Sequence, residues 1–193
     1  MRLVRVAAAA LVGVAVLAGC SNAETANETL PSTSASGSAE PSKTLEPLGP
    51  PDLPMPDEAR QQTAAGAAAF TKYYLGLLNR STKDMDTTFV RQLAEACETC
   101  QRIAQETESD AAAGYHYVGG ELVLDGELKA AITAPGQGES AFVLDQQPLQ
   151  VIGADGSPVP NLSFPALGHL ASGATTTWRQ GTHSWVITEL TLG

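Results

Sequence analysis

Three rhythms of hydrophobic and polar residues divide the chain. Residues 6–18 form an unbroken apolar run of Ala, Val, Leu and Gly. Residues 21–57 have no apolar period. From residue 58 the apolar positions become periodic, first at helical spacing and later at a spacing of two. Phe70, Tyr74 and Leu77 follow i, i+4, i+7, with Ala67 and Tyr73 beside them. They predict a helix over residues 58–80 whose aromatic rings face a core. A turn at residues 79–83 follows. A second helix is expected from Asp86, a suitable N-cap for Thr87-Thr88-Phe89, with Phe89, Leu93 and Ala96 as its buried stripe. A third helix is expected over residues 101–113, stopping at Gly114.

Beyond Gly114 the alternation is that of strands. Residues 115–118 and 122–124 predict strand, interrupted by Gly119-Gly120. A second strand over 128–133 ends in a turn at 135–138. Residues 140–152 predict one long third strand, with Pro148 marking a bulge or an edge. Gly153-Ala154-Asp155-Gly156 is a turn, and residues 157–170, punctuated by Pro158, Pro160 and Pro165, a loop. A hairpin of residues 175–179 and 184–192 closes the pattern. Helices first and an antiparallel sheet after them predict a single α+β domain over residues 58–193, enough chain for one ordinary core.

The first two segments read differently. Arg2 and Arg5 precede the apolar run, which at residues 6–18 is shorter than the ~20 residues a membrane span needs. The run ends Leu17-Ala18-Gly19-Cys20. This resembles a lipobox, which implies that residues 1–19 are a lipoprotein signal peptide and that Cys20 carries a diacylglyceryl group, with a palmitate-type chain. Two acyl chains anchor stably where one does not. The expected location is extracytoplasmic, held to the cell membrane by the lipid. Residues 20–57, rich in Ser, Thr, Pro and Glu and without an aromatic residue, are expected to form a disordered tether.

Charge narrows the partners. The chain holds 11 basic and 21 acidic residues, a net charge of −10, and loss of Arg2 and Arg5 with the signal peptide would make it more acidic still. Such a surface repels phosphate backbones, so no nucleic-acid partner is expected. An unknown small ligand or an envelope protein is the expected partner class, besides the membrane. Of three cysteines, Cys20 is assigned to lipid. Cys97 and Cys100 remain as an even pair, and an oxidising compartment favours their disulfide. It is expected as a local staple between two helices.

Residues 57–100 contain Asp57-Glu58-Ala59-Arg60, then Phe70-Thr71-Lys72-Tyr73-Tyr74, Asn79, Leu93 and Cys97-x-x-Cys100. This resembles a family of actinobacterial lipoproteins defined by a conserved domain of unknown function. The ending, Trp178 through His183-Ser184-Trp185-Val186-Ile187, resembles the last hairpin of nuclear transport factor 2-like (SnoaL-like) domains. The resemblance implies a cone, a curved antiparallel sheet wrapped around N-terminal helices with a cavity at its wide end. It implies no activity and no cofactor.

Candidate chemistry is sparse. No Gly-x-Ser-x-Gly, phosphate loop or dinucleotide fingerprint is present. His116, His169 and His183 show no helical metal-ligand spacing, so no metal site is expected. No catalytic residue is assigned. Tyr115, His116 and Tyr117 on one strand, and Asp145 in the middle of another, are the residues expected to face any cavity, its mouth narrowed by Trp185, Phe70 or Phe164. The expected function is a non-catalytic binding or interaction domain. A small cavity enzyme of isomerase or hydratase type, or less readily a Cys-x-x-Cys disulfide exchanger, is the alternative. Asp145 buried beside His116 or a tyrosine hydroxyl would favour the enzyme.

Overall fold

The computed structural model describes residues 45–193. The expected signal peptide over 1–19, the lipid site Cys20 and the tether up to residue 44 lie outside the described residues. No helix among the described residues is long and apolar enough to cross a membrane.

Among the described residues three α-helices precede eight strands: α1 Ala64–Asp84, α2 Thr88–Gln92, α3 Glu98–Ala112, β1 His116–Gly119, β2 Leu122–Leu124, β3 Lys129–Ala134, β4 Gln137–Gln146, β5 Leu149–Ile152, β6 Pro158–Phe164, β7 Leu167–Arg179 and β8 Ser184–Leu192. This is the α+β class expected, with N-terminal helices packed against antiparallel sheet. The helix boundaries differ from the pattern, and each difference has a cause. Residues 57–60 form a separate 3-10 turn. A break follows because the Trp185 indole takes the Gln61 carbonyl at 2.9 Å. Thr63 then caps α1 by accepting the Gly66 N–H at 3.0 Å. Residues 79–83, expected as a turn, are helical. Ser81 and Thr82 both donate to the Leu78 carbonyl, so their hydroxyls find partners inside the helix. The helix ends at Met85, in the left-handed region at φ 60°. The second helix starts one residue after its cap, Thr87, while Asp86 accepts the Thr88 N–H from outside. Its buried residues are Val90 and Leu93, and the expected Ala96 is exposed.

The strands form two sheets. β2, β4, β7 and β8 run in that order, with β3 also pairing β4, so β2 and β3 succeed one another along one edge of β4. A second sheet has the order β1-β5-β6. The single long strand expected over 140–152 is therefore two strands in two sheets, and Gln147-Pro148 is the corner between them. Residues 157–170, expected as a loop, contain β6 and the start of β7.

The core lies between α1 and the larger sheet. Phe70 and Tyr74 are fully buried there with Leu144, Trp185 and Ile187. Each such side chain contributes about 1.5–3 kcal/mol by leaving water. Each edge of the larger sheet is met at one point. Residues 93–95 bridge to β8 through Glu95 N–H to Ile187 O at 2.8 Å and Ile187 N–H to Leu93 O at 2.9 Å. At the opposite edge Asn79 on α1 stands in for a missing strand. Its amide donates to the Leu122 carbonyl at 2.9 Å and accepts the Leu122 N–H at 2.8 Å. An unpaired edge invites association, and each contact occupies the outward backbone groups of one edge residue, Leu122 or Ile187.

Residues 45–57, expected as the end of the tether, belong to the domain. Pro50 and Met55 are buried, and Leu48 and Leu53 pack on the core. The Tyr73 hydroxyl donates to the Leu53 carbonyl at 3.1 Å, and the Arg60 guanidinium to the Glu46 carbonyl at 2.6 Å. Gly49, at φ 94°, fits only because it has no Cβ: one would come within 1.8 Å of the Tyr73 hydroxyl oxygen.

Candidate functional site

The end of α1, the outer turns of α3 and the smaller sheet enclose a groove of about 650 Å³. That size suits a small organic ligand. Leu78, Ile103, Leu122, Leu149, Val151, Leu162, Phe164 and Leu192 form its apolar walls. Gly120 lines it at φ 85°, where a Cβ would come within 2.9 Å of the Leu149 side chain. The Gly119-Gly120 pair that interrupts the strand pattern therefore lets β1 turn tightly over Leu149.

The polar centre of the groove is Tyr117 with Asp110. The tyrosine stands on β1, the aspartate in the last turn of α3. The Asp110 carbonyl accepts the Tyr115 N–H at 2.9 Å, which pins the start of β1 to the helix end. Across this joint the Tyr117 hydroxyl donates to Asp110 Oδ2 at 2.6 Å. Burial pushes the Tyr117 phenol well above the ordinary tyrosine range, and its hydrogen bond to Asp110 adds to the shift. At the rim Arg102 and Glu106 pair one helical turn apart at 3.2 Å. Thr107 is buried and gives its hydroxyl proton to the Ile103 carbonyl at 2.9 Å. Among the described residues no buried side-chain nitrogen or oxygen lacks a hydrogen-bond partner.

Of the four residues expected at a cavity, the structure brings only Tyr117 to the groove. Tyr115 and His116 do not line it, and His116 is exposed. Strand alternation sends neighbours to opposite faces, so Tyr117 and His116 could not both face inward. Asp145 is elsewhere too. Its Oδ1 accepts the His169 N–H at 2.9 Å, opposite a register shift between β4 and β7. His169 is there in the left-handed region at φ 54°, and its Nδ1 lies 2.9 Å from Asp125 Oδ2. Asp125, Asp145 and His169 thus gather metal-ligating atoms within 4.8 Å of one another, a cluster that helical spacing could not reveal because each residue comes from a different stretch of chain. In this arrangement the His169 imidazole faces Asp125 while its backbone N–H donates to Asp145, on the exposed side of the bulge. The condition that would have favoured an enzyme, Asp145 buried beside His116 or a tyrosine, is not met. Trp185 and Phe70 are fully buried in the core, not at a mouth. Phe164, 47% exposed, does line the groove.

Cys97 and Cys100 are joined in a disulfide, with Cα atoms 5.3 Å apart. Cys97 is the N-cap of α3 and accepts the Cys100 N–H, so the bridge lies within one helical turn and does not link two helices. Position at a helix N-terminus is what a redox Cys-x-x-Cys requires. Both residues are only 1% exposed, however, which closes them to a partner thiolate.

No family model matches the chain, and no curated protein matches it. Among solved structures it is similar to the intermembrane space region of chloroplast protein ARC6, with a TM-score of 0.50 and 12% identity over 67% of this chain and 95% of that one. It is also similar to an uncharacterized protein with a cystatin-like fold from Caulobacter vibrioides (TM-score 0.41, 12% identity, 66% of this chain and 89% of that one). A further similarity is to Aln2 from a Streptomyces species (TM-score 0.39, 10% identity, 63% of this chain and 85% of that one). At these identities the likeness is one of fold. The chain has an α+β fold, helices packed against antiparallel sheet.

Proposed function

We propose that the chain is an extracytoplasmic lipoprotein, anchored through Cys20, whose domain binds an apolar small molecule in the groove and does not transform it. The observation that carries this reading is the groove itself: apolar walls with the Tyr117–Asp110 pair at its polar centre, within the size range of ligand sites. Catalysis needs groups held in mutual geometry with the reacting atoms. The groove's described residues include neither Cys, His nor Lys, and its Tyr117 hydroxyl proton is committed to Asp110. A tyrosine serving as an oxyanion donor would have that proton free.

Two experiments test the two halves of the proposal. Cys20→Ser should release the protein from membranes and abolish its incorporation of labelled palmitate. A variant that still fractionates with membranes and still carries lipid would sink the anchor. For the groove, an apolar fluorescent probe such as Nile red should bind the full chain and lose affinity severalfold in Leu149→Ala. Unchanged probe binding in that variant would place the site elsewhere.

A further inference from the structure

We infer that the groove selects a cationic ligand: a long-chain or compact polycyclic amine whose ammonium group docks on Asp110. This rests on the binding role proposed for the groove and adds the chemistry of its ligand.

The charges of the groove decide the sign. Three ionisable side chains line it besides Tyr117: Arg102, Glu106 and Asp110. Arg102 and Glu106 pair with each other, so they largely cancel. Asp110 is in no ion pair among the described residues; the side-chain hydrogen bond it makes there is the one accepted from the neutral phenol of Tyr117. The groove therefore keeps one uncompensated carboxylate beside an apolar wall. A carboxylate beside apolar surface is improved by a cation that replaces lost hydration.

The direction of the protons points the same way. Tyr117 gives its single hydroxyl proton to Asp110. Thr82 and Thr107, which also line the groove, give theirs to the Leu78 and Ile103 carbonyls. Ser109 and Gln146 elsewhere in the lining are neutral donor–acceptor groups, but at the Tyr117–Asp110 pair itself the groove thus presents acceptors: carboxylate oxygen and phenol oxygen. An ammonium has donors to spend on both. A carboxylate ligand has none, and it would meet like charge. The apolar walls formed by Leu149, Val151, Leu162 and Phe164 would take the rest of the molecule. The chain's net charge of −10 draws cations from a distance, although only Asp110 fixes where the head group sits.

The test compares three ten-carbon probes that differ only in the head: decylamine, decanol and decanoate. Binding to the full chain is measured by calorimetry at pH 7, below the micellar concentration of each. Decylamine should bind at least tenfold more tightly than decanol, with decanoate weakest. Asp110→Asn, which keeps the shape and the acceptor for Tyr117, should erase the advantage of the amine over the alcohol. Tyr117→Phe should keep that advantage, because the carboxylate remains. Glu98→Gln, an equal change of net charge at an exposed position outside the groove, should also keep it. Phe164→Ala should weaken amine and alcohol alike. Equal binding of the three probes to the unmodified chain, or an amine advantage that survives Asp110→Asn, would overturn the selection for cations while leaving an apolar binding groove. No binding of any probe would overturn the groove as a site, and this inference with it.

Discussion

The two sheets of this domain are built to different standards. In the five-stranded sheet β4 alternates strictly, with Gly138, Ser140, Phe142 and Leu144 buried, and β8 buries Ser184, Trp185, Val186, Ile187 and Leu190. In the three-stranded sheet, β1, β5 and β6 together bury one residue, Val151. The first sheet is a packed wall of a core. The second is a flap of half-exposed strands whose inner side forms the groove. Dense packing fixes a structure and leaves no room for a guest; loose packing gives room and contributes little to stability. Fold and candidate function are thus carried by different strands, and substitutions should separate them.

The largest effect is expected from Trp185→Ala in the packed sheet. The side chain is fully buried, lies edge-on to Trp178 with ring centroids 5.3 Å apart, and holds the Gln61 carbonyl. Its loss should cost about 3–5 kcal/mol in urea unfolding. A cost under ~1 kcal/mol would mean that this sheet is not the core. Next comes Asn79→Leu. It leaves both the N–H and the carbonyl of Leu122 without their partner; at ~1–2 kcal/mol for each orphan, the lower part of the usual range because the site is half-buried, the expected loss is about 2–4 kcal/mol. Asn79→Asp should recover part of that loss, because it restores an acceptor for the N–H.

Phe164→Ala belongs to the other sheet, and the contrast should be plain. At 47% exposure its removal should cost less than about 1 kcal/mol of stability while weakening ligand binding severalfold. Equal losses at Phe164 and Trp185 would abolish the distinction between the sheets. The smallest effect concerns the surface between α2 and α3. Hydrogen bonds from Arg91 first, then Thr87, hold the Glu108 carboxyl down to about 2 from 4.5. A carboxyl lowered in the folded state stabilises above its unfolded value, and that contribution fades as pH falls from 4.5 toward 2. The pair is exposed, so the effect should be small and weaker in high salt. Arg91→Ala should flatten the acid side of the stability profile within that interval. A slope unchanged by the substitution would show that other carboxylates set it.

The sequence pattern carried the class of the fold, the aromatic stripe of α1 and the closing hairpin, because period and burial agree there over long elements. It misled where local signals conflicted with tertiary contacts. Pro158 and Pro160 suggested a loop, yet the strand that contains them, β6, pairs only with β5 and so lies at an edge of its sheet, where proline is tolerated. Residues 140–152 were read as one strand across a change of sheet, although the buried phase moves there from even positions, Phe142 and Leu144, to an odd one, Val151. Residues 45–57 looked like tether by composition, but Pro50 and Met55 are buried by contacts with distant elements. The groove was the least legible. Tyr117 could be named from its strand. Asp110 looked like one more polar position near a helix end, and Phe164 lay in what read as a loop. Nothing in a one-dimensional pattern brings residues 110, 117 and 164 together. Asp145 attracted attention as a carboxylate in mid-strand, and its partner turned out to be a backbone N–H at a bulge.

The burial of Trp185 and Ile187 has a consequence for the order of events in the life of the chain. A growing polypeptide that has reached residue 183 has made the segments of α1 and seven strands but lacks the side chains that close its core. Such a chain cannot close the core in its native packing until Trp185, Ile187 and Leu190 have been made. Shortening the chain before residue 184 should therefore leave the preceding segments without their native packing partner.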